Sequence, residues 1–247
     1  LVLVCCLVYQ IKTILKQRKI DEMRKSFVNT MIHELKRPVQ TLKMCVAFLN
    51  NKSMRTDEAA MDEVLKDSMF EIDNLSAYLA KVRDMTRADY EHTPLNIRTF
   101  DVCETIQKLI RLCNIPAGKN VVITPHFDMT TQLVTADPVH LANIISNLLE
   151  NAIKYSGGKP DILVYTQEKT GAYLIGVQDH GIGISKEAQK KVFKRFYRVP
   201  SGNLHNVKGF GLGLSYVKSI VELHGGSVKL TSRKNKGTLV EIEFKKE

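Results

Sequence analysis

A histidine, His33, stands directly before a carboxylate, Glu34, and five residues before Pro38 in the run HELKRP. Its neutral imidazole suits it to accept a transferred group at pH 7. Pro38 cannot donate its helical hydrogen bond, so it should bend or loosen a helix just beyond the histidine. Further along, NLLENAIKY places Asn147, Asn151 and Lys154 at steps of four and three, on one helix face, with Tyr155 next. Buried helix faces rarely collect two amides and a lysine without a polar ligand, and amide oxygens suit Mg²⁺, which shares its ligands with phosphates. The run DHGIGI sets Asp179 ahead of Gly181 and Gly183. Those glycines permit a tight turn whose backbone approaches a flat ring, while the aspartate accepts a hydrogen bond from an amino group. GFGLGL then puts Gly209, Gly211 and Gly213 at the entrance of a helix. Glycine-lined helix starts present free amides to phosphate. Taken singly, each has an ordinary alternative: a solvated helix face, a capped surface helix, a turn, an idle loop.

The GxGxG spacing, preceded by a polar loop, is not the dinucleotide pattern, and no GxxxxGK[ST] run is present. The polar stretch RVPSGNLHNVK, from Arg198 to Lys208, lacks an apolar face and reads as a lid.

The elements that must hold these groups are legible from periodicity. Apolar residues at Val28, Ile32, Leu35, Val39, Leu42, Val46 and Leu49 step alternately by four and three, a heptad seam on a long helix. His33 lies one place off that seam. After the polar break NNKSMRTDE, a second series runs through Met61, Leu65, Ser68, Ile72, Leu75, Leu79 and Val82. Two such helices fold back as a hairpin, and two hairpins from two chains close a four-helix core, so a homodimer is expected. Beyond Tyr90 the pattern mixes helices with strands: DVCETIQKLIRLC, VVITPHF, a helix opened by Asp137 and Pro138, then DILVYT, YLIGVQD, KEAQKKVF, GLSYVKSIVELH, SVKLTS and TLVEIEF. This predicts a separate α+β layered domain.

The chain opens on LVLVCCLVY, with basic Lys12, Lys16, Arg18 and Lys19 following. That is about half of the ~20 apolar residues of a bilayer span. The charge order is wrong for a signal peptide and right for the cytoplasmic flank of a membrane helix. We therefore expect residues 1–11 to be the end of a transmembrane helix in the inner membrane, with the rest of the chain in the cytoplasm. Five cysteines without a CxxC pair give neither a disulfide framework nor a zinc site, and Cys45, Cys103 and Cys113 read as packed thiols. The net charge of +10 comes without an aromatic-rich nucleic-acid motif, so no nucleic-acid partner is expected.

Taken in order, HELKRP, NLLENAIKY, DHGIGI, KVFKRFYR and GFGLGL resemble the signature boxes of bacterial two-component sensor histidine kinases. The resemblance implies a dimerisation and phosphotransfer hairpin over residues 12–91, a linker at 92–97, and over 98–247 an ATP-binding two-layer α+β sandwich of the histidine kinase, gyrase and chaperone type. It makes His33 the phosphoacceptor and Glu34 the carboxylate that orients it and takes its proton. It gives Asn151 a Mg²⁺ ion, sets Asn147 and Lys154 near the phosphates, Tyr155 against the nucleotide, and Asp179 on the adenine amino group. Gly181 and Gly183 would shape the adenine pocket. Arg198, Lys208, Gly209, Phe210, Gly211, Leu212 and Gly213 would form the lid and its phosphate-binding hinge, with Phe193 and Phe196 at its base. A response-regulator receiver is the implied second partner.

Three positions depart from the pattern: His180 where Asn is usual, and Arg37 and Gln40 in place of small residues around the helical proline. No room is left for a signal-relay domain between the apolar start and the hairpin. Gyrase-like ATPases carry a glutamate where this chain has Asn147, which cannot take a proton from water, so transfer is favoured over hydrolysis. The alternative is a nucleotide-binding dimeric scaffold without catalysis.

Overall fold

A computed structural model of the chain describes residues 2–50, 58–86, 94–113, 120–199 and 211–246. The chain divides into two compact units, Leu1–Arg87 and Ala88–Glu247.

The first unit is two long helices in contact, α1 (Val2–Asn50) and α2 (Glu58–Thr86). α1 continues through Pro38. The predicted seam is only half used within the chain. Leu35, Leu42 and Leu49 are half-buried, whereas Val28, Ile32, Val39 and Val46 remain between 49% and 64% exposed. The stripe withdrawn from solvent is Met31, Leu35, Pro38, Leu42, Cys45 and Leu49, also at alternating steps of four and three, and Cys45 is buried. On α2, Met61, Val64, Ser68 and Leu75 are half-buried while Leu65, Ile72 and Leu79 stay exposed. One partner helix can cover only one flank of a seam, so the β-branched positions are left facing out. Among the described residues, no helix is long and apolar enough to cross a membrane.

In the second unit a five-stranded sheet runs in the order β2-β4-β5-β7-β6, with β2 (Val122–Asp128), β4 (Asp161–Lys169), β5 (Ala172–Asp179), β6 (Ser227–Arg233) and β7 (Gly237–Lys245). β2 and β4 are parallel and the other pairs antiparallel, so the sheet is mixed. A short antiparallel ribbon pairs β1 (Arg98–Asp101) with β3 (Leu133–Ala136). The helices are α3 (Val102–Arg111), α4 (Pro138–Tyr155), the short α5 (Lys186–Gln189) and α6 (Gly213–Leu223).

Alternation along the strands decides how the layers meet. Ile162 and Val164 of β4 are fully buried in one core with Ile144, Ile145, Leu148 and Leu149 of α4 and Val217, Ile220 and Val221 of α6. Burying each such side chain contributes roughly 1.5–3 kcal/mol, which fixes α4 and α6 as rigid rods on the sheet. α4 starts where expected: the Asp137 side chain accepts from the N–H groups of Val139 (2.9 Å) and His140 (3.0 Å), and Pro138 fills the first turn.

Candidate nucleotide site

α4 carries the amide face. Asn147 is buried, and its side-chain Nδ2 donates to the Asn143 carbonyl at 2.8 Å, which turns Oδ1 away from its own backbone ladder. Gly213, the first residue of α6, sits directly against it. A β-carbon placed there would lie 3.1 Å from Asn147 Oδ1 and 3.7 Å from Asn151 Nδ2. Two segments far apart in sequence thus meet as amides against a helix start. The residue before α6, Leu212, is buried and caps that helix with no side-chain hydrogen bond. The first-turn N–H groups are therefore left for an anion.

A second group of the singled-out residues lies at the end of β5. Asp179 Oδ1 accepts from the N–H of Gly181 (2.8 Å) and of Thr238 (3.2 Å). Its other oxygen has no hydrogen-bond partner among the described residues, which leaves an acceptor for a ligand's amino group. Burial pushes the Asp179 carboxyl up, and those two N–H groups oppose the rise. The loop after β5 is pinned at Ile182 through both of its backbone polar groups. The Ile182 N–H donates to the Tyr155 carbonyl at 3.1 Å, and the Asn235 N–H donates to the Ile182 carbonyl at 2.7 Å. Gly181 approaches the Tyr155 carbonyl so closely that a β-carbon would stand 2.4 Å from its oxygen. Gly183 takes a φ of +62° with the Arg233 carbonyl against it. These close approaches are what the two glycines are for.

Tyr155 ends α4 beside that loop. Burial raises its hydroxyl pKa, and the nearby Arg198 cation works against that rise. The Lys154 ammonium lies 5.4 Å from the Tyr155 ring centre. Gly211, at φ +69°, packs on the backbone of Phe196 and Tyr197, so the residues flanking 200–210 are held together. Phe193 and Phe196 are half-buried at that base.

Of the residues singled out in the sequence, Asn147, Asn151, Lys154, Tyr155, Asp179, Gly181, Gly183, Arg198, Gly211, Leu212 and Gly213 all lie in this second unit. Lys208, Gly209 and Phe210 lie outside the described residues. His33 and Glu34 are in α1, in the first unit; their side chains, and that of Arg37, lie outside the described part of the structure. Sequence reasoning missed Thr238, whose backbone grips Asp179. Its contact is made by the backbone N–H, so no side chain in the sequence signals it. Among the described residues, no group of three or more His, Cys, Asp or Glu side chains could hold a metal. A metal here would rest on amide and phosphate oxygens, which suits Mg²⁺ and fits Asn151.

Residues 136–247 match the family of histidine kinase-, DNA gyrase B-, and HSP90-like ATPases. Over 241 residues the chain is 35% identical to sensor protein RprX of Bacteroides fragilis, covering 96% of this chain and 46% of RprX. It is 29% identical over 227 residues to the signal transduction histidine-protein kinase ArlS of Staphylococcus aureus, covering 90% of this chain and 49% of ArlS. The solved catalytic domain of histidine kinase ThkA matches with a TM-score of 0.54 and 25% identity, over 62% of this chain and 97% of that domain. The chain spans about half the length of the curated relatives it matches.

The second unit therefore carries an ATPase domain of the histidine kinase, gyrase and HSP90 type. Over nearly its whole length the chain is similar to a sensor protein and to a signal transduction histidine-protein kinase.

Proposed function

We propose that this chain is the kinase core of a sensor histidine kinase, which phosphorylates its own His33 from ATP and passes the group to an aspartate of a response-regulator receiver. The observation that carries the reading is the meeting of Asn147 and Asn151 with Gly213, in the domain where Asp179 keeps one carboxylate oxygen without a hydrogen-bond partner among the described residues. Asp179 accepts from the adenine amino group, Tyr155 lies along the ring, and Lys154, Arg198, Lys208 and the amides from Gly209 to Gly213 take the phosphates. Mg²⁺, held by Asn151, would neutralise charge on the phosphate oxygens.

Phosphoryl transfer asks little covalent chemistry of a protein beyond holding the phosphoryl group in line with its acceptor. The bond from the bridging oxygen to the γ-phosphorus breaks, a nitrogen–phosphorus bond to His33 forms, ADP leaves, and Glu34 takes the imidazole proton. Asn147 supplies an amide where a hydrolase would need a base, which favours transfer to histidine over attack by water.

The same reading makes residues 12–91 a hairpin that dimerises into a four-helix bundle, joined by 92–97 to the ATP-binding domain. The exposed Val28, Ile32, Val39 and Val46 support it, since they are the seam positions a second copy would cover. The apolar start, followed by Lys12, Lys16, Arg18 and Lys19, supports a membrane anchor with the remainder at the cytoplasmic face.

The test is to incubate the purified protein with γ-labelled ATP. Acid-labile, base-stable label on wild type, absent from His33→Ala although that variant still binds ATP, is the expected result. Label retained by His33→Ala refutes the assignment.

A further inference from the structure

The loop after Asp179 does more than shape a pocket: it is stitched to the turn between β6 and β7. The Ile184 N–H donates to Ser232 Oγ at 2.8 Å, and Gln189 Nε2 donates to the carbonyls of Ile184 (2.7 Å) and Ser232 (2.8 Å). With the Asn235–Ile182 bond these contacts make one continuous surface from two stretches of chain. One stretch exposes Lys186, Lys190, Lys191 and Lys194, and the other exposes Arg233, Lys234 and Lys236. The only carboxylate in residues 182–198 or 228–240 is Glu187. Ile182, 39% exposed, adds an apolar contact at the edge.

We propose that this lysine-rich face of the ATP-binding domain docks on an anionic lipid surface. The composition chooses between polyanions. Tight protein interfaces are depleted in lysine and anchored by buried aromatics and arginine, whereas seven of the ten Lys and Arg residues in 182–198 and 228–240 are lysines. Single-stranded nucleic acid needs aromatic rings to stack on, and the nearest ones, Phe193, Phe196 and Tyr197, are half-buried. A diffuse lysine field with one apolar edge residue suits a charged bilayer, where each cation near the surface strengthens partitioning about fivefold. The inference rests on the proposed membrane placement for its setting, and it does not depend on His33 being phosphorylated.

The 247-residue protein is floated with vesicles of phosphatidylcholine alone and of phosphatidylcholine mixed with phosphatidylglycerol. Wild type is compared with Lys190→Glu/Lys234→Glu and with a control of equal net charge, Lys108→Glu/Lys159→Glu, whose two lysines are exposed elsewhere. Binding to neutral vesicles reads the apolar N-terminal segment separately and should be equal in all three. The patch variant should bind anionic vesicles at least about 25-fold more weakly, the control nearly as wild type, and all should bind ATP alike. An equal loss in the control, or no loss in the patch variant, overturns the inference. A loss of ATP affinity in the patch variant overturns it by assigning the lysines to nucleotide steering. Retention on immobilised polyglutamate that the patch variant loses, with lipid binding unchanged, overturns it in favour of an acidic protein partner. Lipid dependence in a protein that never labels His33 would sink the kinase reading and leave this one standing.

Discussion

Asn147 Oδ1 lies 3.1 Å from where a β-carbon on Gly213 would sit, so any side chain at the first residue of α6 must displace this amide of α4 by a few tenths of an ångström. Gly213→Ala separates two effects that usually travel together. Alanine is favoured over glycine by roughly 0.5–1 kcal/mol in a helix interior and by less at this first position, so the thermal midpoint should hold or rise slightly. The added methyl presses on the Asn147 amide and shifts it, and ATP affinity should fall about tenfold, a loss of about 1.4 kcal/mol. Calorimetric titration beside a melting curve checks it. A variant that melts lower and binds normally would show that Gly213 serves the fold alone.

Asp179→Ala removes the acceptor for an amino group and leaves the N–H groups of Gly181 and Thr238 without their partner. Stranding a buried donor costs about 1–3 kcal/mol, so the variant should be less stable. It should also lose most of its preference for ATP over GTP, because guanine presents a carbonyl where adenine presents its amino group. Competition of the two nucleotides for the same site gives the ratio directly, and an unchanged ratio would remove Asp179 from base recognition.

A pH effect arises from His224 at the end of α6. Its Nδ1–H donates to the Ile220 carbonyl at 2.8 Å, and its Nε2 accepts from the Asp137 N–H at 3.1 Å. That pairing needs the neutral ring, since a proton on Nε2 would face the proton of Asp137. Burial lowers the His224 pKa, with the Ile220 bond and the Asp137 carboxylate opposing and His140 adding to the fall. The folded state therefore binds fewer protons than the unfolded chain below the ordinary histidine pKa of about 6.5. The stability from this contact is present above that pH and is lost as pH falls through it towards the lower folded value. His224→Gln, which can still donate and accept, should flatten the dependence. Melting curves between about pH 7.5 and 5 measure this, each kcal/mol moving the midpoint by about 2–4 °C. Parallel curves for the two proteins would show that another group titrates.

How much of this was legible in the sequence differs by element. The capped start of α4, the strands β4 and β5 and the helix α6 were written plainly, because Asp137–Pro138 and strong periodicities act locally. Asn147, Asn151 and Asp179 could each be placed from the sequence because each sits on such an element. β3 was not, since four residues before a cap carry too few alternations to register. Thr238 was missed for a different reason. It acts through its backbone N–H, which every residue but proline possesses, and only the β5–β7 register brings it to Asp179. The heptad seam was legible as a stripe, but which flank meets α2 depends on helix rotation, and that the spacing alone does not set.

That rotation carries the last prediction. Within the chain, Leu42 and Cys45 are turned inward while Val39 and Val46 stay exposed by 51% and 64%. Substitutions on the two flanks should therefore fail differently. Leu42→Ala thins the packing between α1 and α2, and a half-buried leucine should cost somewhat less than the ~2–5 kcal/mol of a fully buried one. Val46→Glu places its charge on the exposed flank of its own chain, but in a four-helix core it would bury that charge without a partner. It should leave the helical content of the single chain near wild type while weakening self-association by roughly a hundredfold or more, since breaking a buried contact with an unpaired charge costs about 3–5 kcal/mol. Sedimentation equilibrium at several concentrations, with circular dichroism on the same samples, separates the outcomes. A Val46→Glu protein that still sediments as a dimer would mean that the exposed flank of the seam is not where two copies meet.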